Sequence, residues 1–97
     1  VCSSDLARKA RQIVGNVEYI VATEILTAGQ ALSLIEPIAK DHPIGKGSSA
    51  ALASLRSVVD PALDGDRWYA TEMNLAHQHV RSGAVVEAVE ASVGKLD

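Results

Sequence analysis

From Ala7 to Ile35 the chain contains no proline and is interrupted only by Gly15 and Gly29, and apolar residues occupy most of its helical circumference. A helix of that length spans about 44 Å at roughly 1.5 Å per residue. A compact domain of ~100 residues has a radius of gyration near 13 Å, so such a helix overreaches any globule this chain can build. Placed at about 100° intervals, Ile13, Val17, Ile20, Val21, Ala28, Ala31 and Ile35 form one stripe. Val14, Ile25 and Leu32 widen it, and Ala22, Leu26 and Tyr19 carry it around the back. Lys9, Gln12, Asn16, Thr23, Thr27 and Gln30 leave one narrow polar strip. Apolar character nearly all round marks a helix inside a multi-helix core rather than on a surface. A membrane span is the alternative, but Asn16, Glu18, Glu24 and Gln30 interrupt any run of ~20 apolar residues. The helix is therefore expected to be covered by something this chain does not supply.

Composition narrows the possibilities. The 97 residues allow one domain; they are 47% hydrophobic with no Phe, one Trp and two Tyr, so the core is made of Ala, Val, Leu and Ile. The net charge of -3 is carried by singly scattered groups, which gives neither a basic patch for nucleic acid nor a polybasic membrane anchor. Cys2 is the only cysteine, so an internal disulfide is excluded and a reducing compartment is the default. No signal-peptide pattern opens the chain, and the cytoplasm is the simplest placement. Val1 to Leu6 lacks an initiator Met and reads like the translation of a sequencing adapter. Residues 1–6 are accordingly expected to be non-native, with 7–97 as the genuine segment, and Cys2 is not read as a nucleophile.

The long helix, over about 7–35, is expected to end where Pro37 disfavours helical geometry at Glu36. Glu36 to Gly47 reads as a loop. Ser48 or Ser49 is the expected N-cap of a second helix over about 48–60, with Arg56 and Asp60 spaced to pair at i and i+4. Asp60 to Arg67 is a turn rich in Asp and Gly. A third helix is expected over about 71–82, capped by Thr71 and closed by Gly83 as the residue after the C-cap, with Met73, Ala76 and Val80 aligned. A fourth over about 84–93 aligns Val85, Val86, Val89 and Val93. No alternating strand pattern is present, and the fold class is all-α.

Few residues invite chemistry. His77 and His79, considered with His42, suggest a metal, but i and i+2 on a helix point about 200° apart, whereas zinc-binding helices use i and i+4. Asp60, Asp64 and Asp66 around Gly65 lack the Glu of a calcium loop, since position 71 is Thr; a turn in which Asp64 or Asp66 bonds backbone and pairs with Arg67 is expected instead. Gly45-Lys46-Gly47-Ser48 lacks the order and the earlier glycine of a phosphate loop. Glu24 sits in the middle of the stripe made by Ile20, Ala28 and Ala31. A carboxylate buried there needs a partner or a raised pKa, and an ion pair with an arginine from a neighbouring helix is expected. No triad of nucleophile, base and orienting acid is present, so catalytic, cofactor-binding and metal-binding residues are all expected to be absent from this chain.

Four runs of residues taken together point further. Ala7-Arg8-Lys9-Ala10, Asn16-Val17-Glu18 through Gln30-Ala31-Leu32, Gly45-Lys46-Gly47-Ser48, and Val58-Val59-Asp60-Pro61-Ala62-Leu63-Asp64-Gly65-Asp66-Arg67 resemble the C-terminal end of the aromatic amino acid ammonia-lyases. That family comprises histidine, phenylalanine and tyrosine ammonia-lyases and related aminomutases. Pro61-x-Leu63-x-x-Asp66-Arg67 before a helix is the most specific element, and the resemblance covers about Ala7 to Ser92. It implies a parent enzyme that eliminates ammonia from an aromatic amino acid, histidine to urocanate being favoured over tyrosine or phenylalanine. The chemistry it implies uses a methylidene-imidazolone electrophile made from an internal Ala-Ser-Gly, with a tyrosine as base. No Ala-Ser-Gly occurs here, and the family's Gln-Glu active-site pair would lie upstream of Ala7, so the segment alone is expected to be inactive. The resemblance also implies a homotetramer with a central bundle of long helices, which would cover the Ala7–Ile35 helix. One departure is Trp68-Tyr69-Ala70-Thr71-Glu72, where the family places a proline and an acid. The reading of another class is a non-catalytic helical oligomerisation module.

Overall fold

A computed structural model describes residues 3–97, and the expectation for Cys2 falls outside them. Four helices follow in order: α1 Ser3–Ile35, α2 Lys46–Arg56, α3 Ala70–Arg81 and α4 Ala84–Val93. The all-α reading holds, with no strand among the described residues. α1 packs chiefly on α3, and α2 on α4, with lighter contacts joining the two pairs. The result is elongated, 57 × 36 × 18 Å with a radius of gyration of 16.0 Å, because one helix of about 50 Å runs past the end of everything packed on it.

α1 begins at Ser3, four residues before the expected Ala7, so part of the expected non-native stretch continues the helix. α2 departs more from expectation. It starts at Lys46 with Gly45 as an extended N-cap that makes no side-chain capping bond; Ser48 and Ser49 lie inside the first turn, and the Ser49 N–H donates to the Gly45 carbonyl. It also stops at Arg56 rather than near 60. The chain there turns back through Ser57 and Val58 so that Val59, 4% exposed, enters the core. Arg56 and Asp60 consequently do not share a helix. α3 starts at Ala70 with Tyr69 as N-cap, so Thr71 lies within the first turn and caps nothing. Gly83 performs as the spacing requires: its φ of 82° is left-handed, accessible to glycine at little cost, and it closes α3 while opening α4. α4 matches its expected bounds.

The core is small. Ala22, Leu55, Val59 and Ala76 are its buried members, with Ile25, Leu26 and Val80 packed against them. Small residues on α1 and α3 let the backbones approach, and Gly29 is the tightest point: a Cβ there would lie 2.7 Å from Leu55 Cδ2. Gly29→Ala is expected to destabilise by about 1–2 kcal/mol, since overpacking a filled site costs about 1–3 kcal/mol and outweighs the ~1 kcal/mol helix propensity gained. Gly15 has nothing within 4 Å of its would-be Cβ, so Gly15→Ala is expected to stabilise by about 0.5–1 kcal/mol. Opposite shifts of the denaturant midpoint for the two variants check the packing.

α1 turns the unexpected side inward. The face against α2 and α3 carries Glu18, Ala22, Ile25 and Gly29, whereas Ile13, Val17, Ile20 and Ile35 remain between 48% and 61% exposed. The aliphatic stripe therefore lies on the far side from this chain's own core.

Candidate functional site

Polar side chains hold the helices together, and His77 and His79, which sequence reasoning weighed for chemistry, are among them. Arg56, leaving the end of α2, reaches α1: its guanidinium donates to the Gly29 carbonyl at 2.9 Å and the Ser33 hydroxyl at 2.8 Å, and also to the Val59 carbonyl at 3.2 Å. Desolvation, and then the charge of Arg67, lower its pKa from the ordinary arginine value, yet a guanidinium remains charged at any accessible pH. A charged fork with its acceptors fixed on two elements ties α1 to the turn after α2.

Gln30 supplies a second tie. Its amide donates from Nε2 to the Ala62 carbonyl at 2.8 Å and accepts at Oε1 from the Ala62 N–H at 2.9 Å. One side chain thus satisfies both backbone groups of a residue in a segment without regular structure, where an unpaired buried backbone group is costly. Gln30→Ala is expected to cost about 1–3 kcal/mol because both groups lose their partner. Gln30→Glu, unable to donate to the carbonyl when ionised, is expected to be no better. Faster amide exchange confined to residues 58–66 would check the assignment.

Arg67 forms a third. It pairs with Glu72 in the first turn of α3, Nε to Oε1 at 2.7 Å, and donates to the carbonyls of Asp60 and Pro61. The expected Asp partnership is half right: Asp66 accepts the Arg67 backbone N–H at 3.2 Å, but the guanidinium goes to Glu72. Desolvation, followed by hydrogen bonding toward Asp66, raises the Tyr69 phenol pKa above its ordinary value. These groups border a cleft of about 490 Å³ whose walls include Leu26, Leu34, Val59, Ala62, Tyr69 and Met73.

The histidines point apart, as i and i+2 require. His77 faces α1, stacked on Tyr19 with centroids 3.7 Å apart and planes within 1°, its Nε2 3.2 Å from a Glu18 oxygen that also lies 3.9 Å from Arg81. His79 faces α2 and shares a hydrogen bond of 2.7 Å with Ser54. Ser54 and His79 have no orienting carboxylate among their bonds, so they lack the third member of a nucleophile triad. Among the described residues no group of three His, Cys, Asp or Glu could hold a metal ion, and no helix is long and apolar enough to cross a membrane.

Glu24 requires a correction. It is exposed in this chain, and among the described residues no arginine of a neighbouring helix pairs with it; Glu18, one face away, is the acid of α1 that does pair. The α1 face packed internally is the one that carries Glu18, and this places Glu24 outward.

Several of the tied residues fall in two of the four distinctive sequence runs. Glu18 and Gln30 belong to the second, and Val59, Asp60, Pro61, Ala62 and Arg67 to the fourth. Sequence reasoning missed Arg56 as the bridging residue and His77 as the partner of Glu18. A cation one turn before a proline-containing loop was the available signal for the first, and none existed for the second.

Comparison with known proteins gives one consistent result. The chain is 40% identical over 91 residues to a histidine ammonia-lyase of Symbiobacterium thermophilum, covering 94% of this chain and 17% of that enzyme. Histidine ammonia-lyases of Gloeobacter violaceus and Sorangium cellulosum are 35% and 36% identical over the same share of each. The chain therefore spans 17% of the length of these curated relatives. No family model matches it, and no solved structure does.

Proposed function

We propose that this chain, homologous to one segment of the histidine ammonia-lyases, is an architectural segment of such an enzyme, and that the enzyme eliminates ammonia from L-histidine to give urocanate. The observation that carries this reading is the nearly end-to-end match to one short stretch of several enzymes that bear one name. The internal geometry fits an architectural role, since the distinctive residues Gln30, Asp60, Pro61, Ala62 and Arg67 tie segments together.

The electrophile of this reaction is a methylidene-imidazolone. With no Ala-Ser-Gly in this chain, its formation falls to other parts of the enzyme. The role of these residues is to fix α1 against α2 and α3 and to present the far side of α1 to the rest of the enzyme and to the other subunits of a cytoplasmic homotetramer. In the full-length gene product carrying this segment, L-histidine is expected to release ammonia while L-tyrosine and L-phenylalanine are turned over at least tenfold less efficiently. Preference for either of the latter would move the enzyme to a sister activity, and inactivity toward all three would remove the lyase reading.

A further inference from the structure

The loop between α2 and α3 contains one dipeptide that the ties around it leave unrestrained. Asp64 and Gly65 are both exposed and lie outside every helix. Gly65 has a φ of 117° and nothing within 4 Å of a would-be Cβ. The backbone there calls for glycine, the one residue that puts no side chain over its own nitrogen. Among the described residues the Gly65 N–H donates to nothing and the Asp64 carboxyl has no partner. A carboxyl one bond from the backbone, next to an unshielded and unbonded amide, is arranged for closure to a cyclic imide.

Every other aspartate or asparagine that precedes a residue of this sequence lacks one of these conditions. Asp5, Asn16 and Asn74 lie in α1 and α3, where helical dihedrals fix the following amide and Leu6, Val17 and Leu75 set bulky side chains beside it. After Asp41, the His42 N–H donates to the Ala39 carbonyl at 3.0 Å. Asp60 precedes Pro61, which has no N–H. After Asp66, the Arg67 N–H is spent as a donor to Oδ1 at 3.2 Å and its side chain is held by Glu72.

We infer that Asp64-Gly65 is a site of spontaneous isoaspartate formation, and that the modification slackens the loop between Ala62 and Arg67. In the first step the Gly65 nitrogen attacks Cγ of the protonated Asp64 carboxyl. The N–Cγ bond forms, the Cγ–OH bond breaks, and the amide proton leaves with the hydroxyl as water. In the second step a water opens the imide. Cleavage of the new N–Cγ bond restores aspartate, whereas cleavage of the original bond from nitrogen to the α-carbonyl leaves the main chain running through Cβ and Cγ. Neither step needs an oxidant, a reductant or a second protein. The product carries an extra main-chain atom between two anchors, the Gln30 bonds to Ala62 and the Arg67 guanidinium on the Asp60 and Pro61 carbonyls. Both cannot keep their places, and Arg67, whose bonds are the more exposed, yields first.

The test ages the purified full-length gene product carrying this segment in neutral buffer. Methyl transfer by an isoaspartate methyltransferase counts the modified residues, and electron-transfer fragmentation of peptides places them. Isoaspartate is expected at Asp64 in at least tenfold excess over every other aspartate and asparagine. Asp64→Glu, whose closure needs a larger and less favoured ring, is expected to lose that signal. The rate at Asp64 in the native protein is expected to lie within tenfold of the rate in the same protein unfolded in guanidinium chloride. Ageing is expected to lower the melting temperature of the wild type and to leave that of Asp64→Glu unchanged. No excess at Asp64, or a native rate more than tenfold below the unfolded one, would overturn the site. Equal melting of the two aged proteins with isoaspartate present would overturn the slackening. These results are read without turnover, so they stand apart from the lyase reading.

Discussion

Leu55→Ala is expected to lower the unfolding free energy by about 3–5 kcal/mol, the cost of emptying a filled aliphatic site that cannot collapse. Leu55 is 1% exposed and is the largest fully buried side chain of the core, whose other buried members are Ala22, Val59 and Ala76. Two of those are alanines on α1 and α3, held at their spacing by helix backbone, so little can move in to fill the space. The same residue is the one a Gly29 Cβ would strike at 2.7 Å. Gly29→Ala and Leu55→Ala are therefore expected to be coupled: in the double variant the added methyl enters the space that Leu55 vacates, and the combined loss falls short of the sum by more than about 0.5 kcal/mol. Denaturant midpoints of the wild type, the two single variants and the double variant give the cycle. A Leu55→Ala loss below ~1 kcal/mol, or strict additivity, would mean that α1 and α2 do not meet at this point.

Arg56→Met should cost nearly as much. Methionine keeps much of the aliphatic stem and loses the guanidinium, leaving the Gly29 carbonyl, the Ser33 hydroxyl and the Val59 carbonyl without their donor. Bonds to a charged donor contribute about 1.5–3 kcal/mol each before compensation. The Gly29 carbonyl keeps its place in the helix ladder, so a net loss of about 2–4 kcal/mol is expected. Arg56→Lys is expected to recover less than half of it, because a single ammonium on a flexible stem does not reproduce a planar fork that spans two elements. Amide exchange in residues 57–62 should accelerate in both variants while α4, which Arg56 does not touch, stays as it was. Full recovery by lysine would reduce Arg56 to a point charge and contradict the bridging role.

What the sequence made legible follows from where the controlling physics is local. Pro37, Gly83 and the valine spacing of 85–93 are local signals, and the end of α1, the left-handed turn at Gly83 and the bounds of α4 follow them. The ends of α2 and the start of α3 were misplaced because tertiary interactions decide them. Burial of Val59 and the reach of Arg56 to α1 end α2 at Arg56, ahead of the limit that Pro61 imposes. Serine and threonine cap preferences gave way to Gly45 and Tyr69. On α1 the pattern announced burial on nearly every side but could not rank the sides. The face that this chain covers is the one with Ala22 and Gly29, where backbones approach closely, rather than the one with the large aliphatics. That choice explains why Glu24, expected against an arginine from a neighbouring helix, lies outward in this chain and why Glu18 takes the internal partners. Gln30 reads as part of a polar strip in sequence, and only the fold shows that the strip ends under the backbone of Ala62.

The bare aliphatic stripe of α1 has a ready explanation if the segment serves as scaffold for chemistry carried elsewhere in a larger enzyme. Urocanate formation from L-histidine, followed by its ultraviolet absorbance at equal molar protein, tests that claim most directly. The full-length gene product carrying this segment is expected to form urocanate steadily, and the isolated 97-residue chain to form none. Urocanate from the isolated chain, or none from the full-length product, would contradict it.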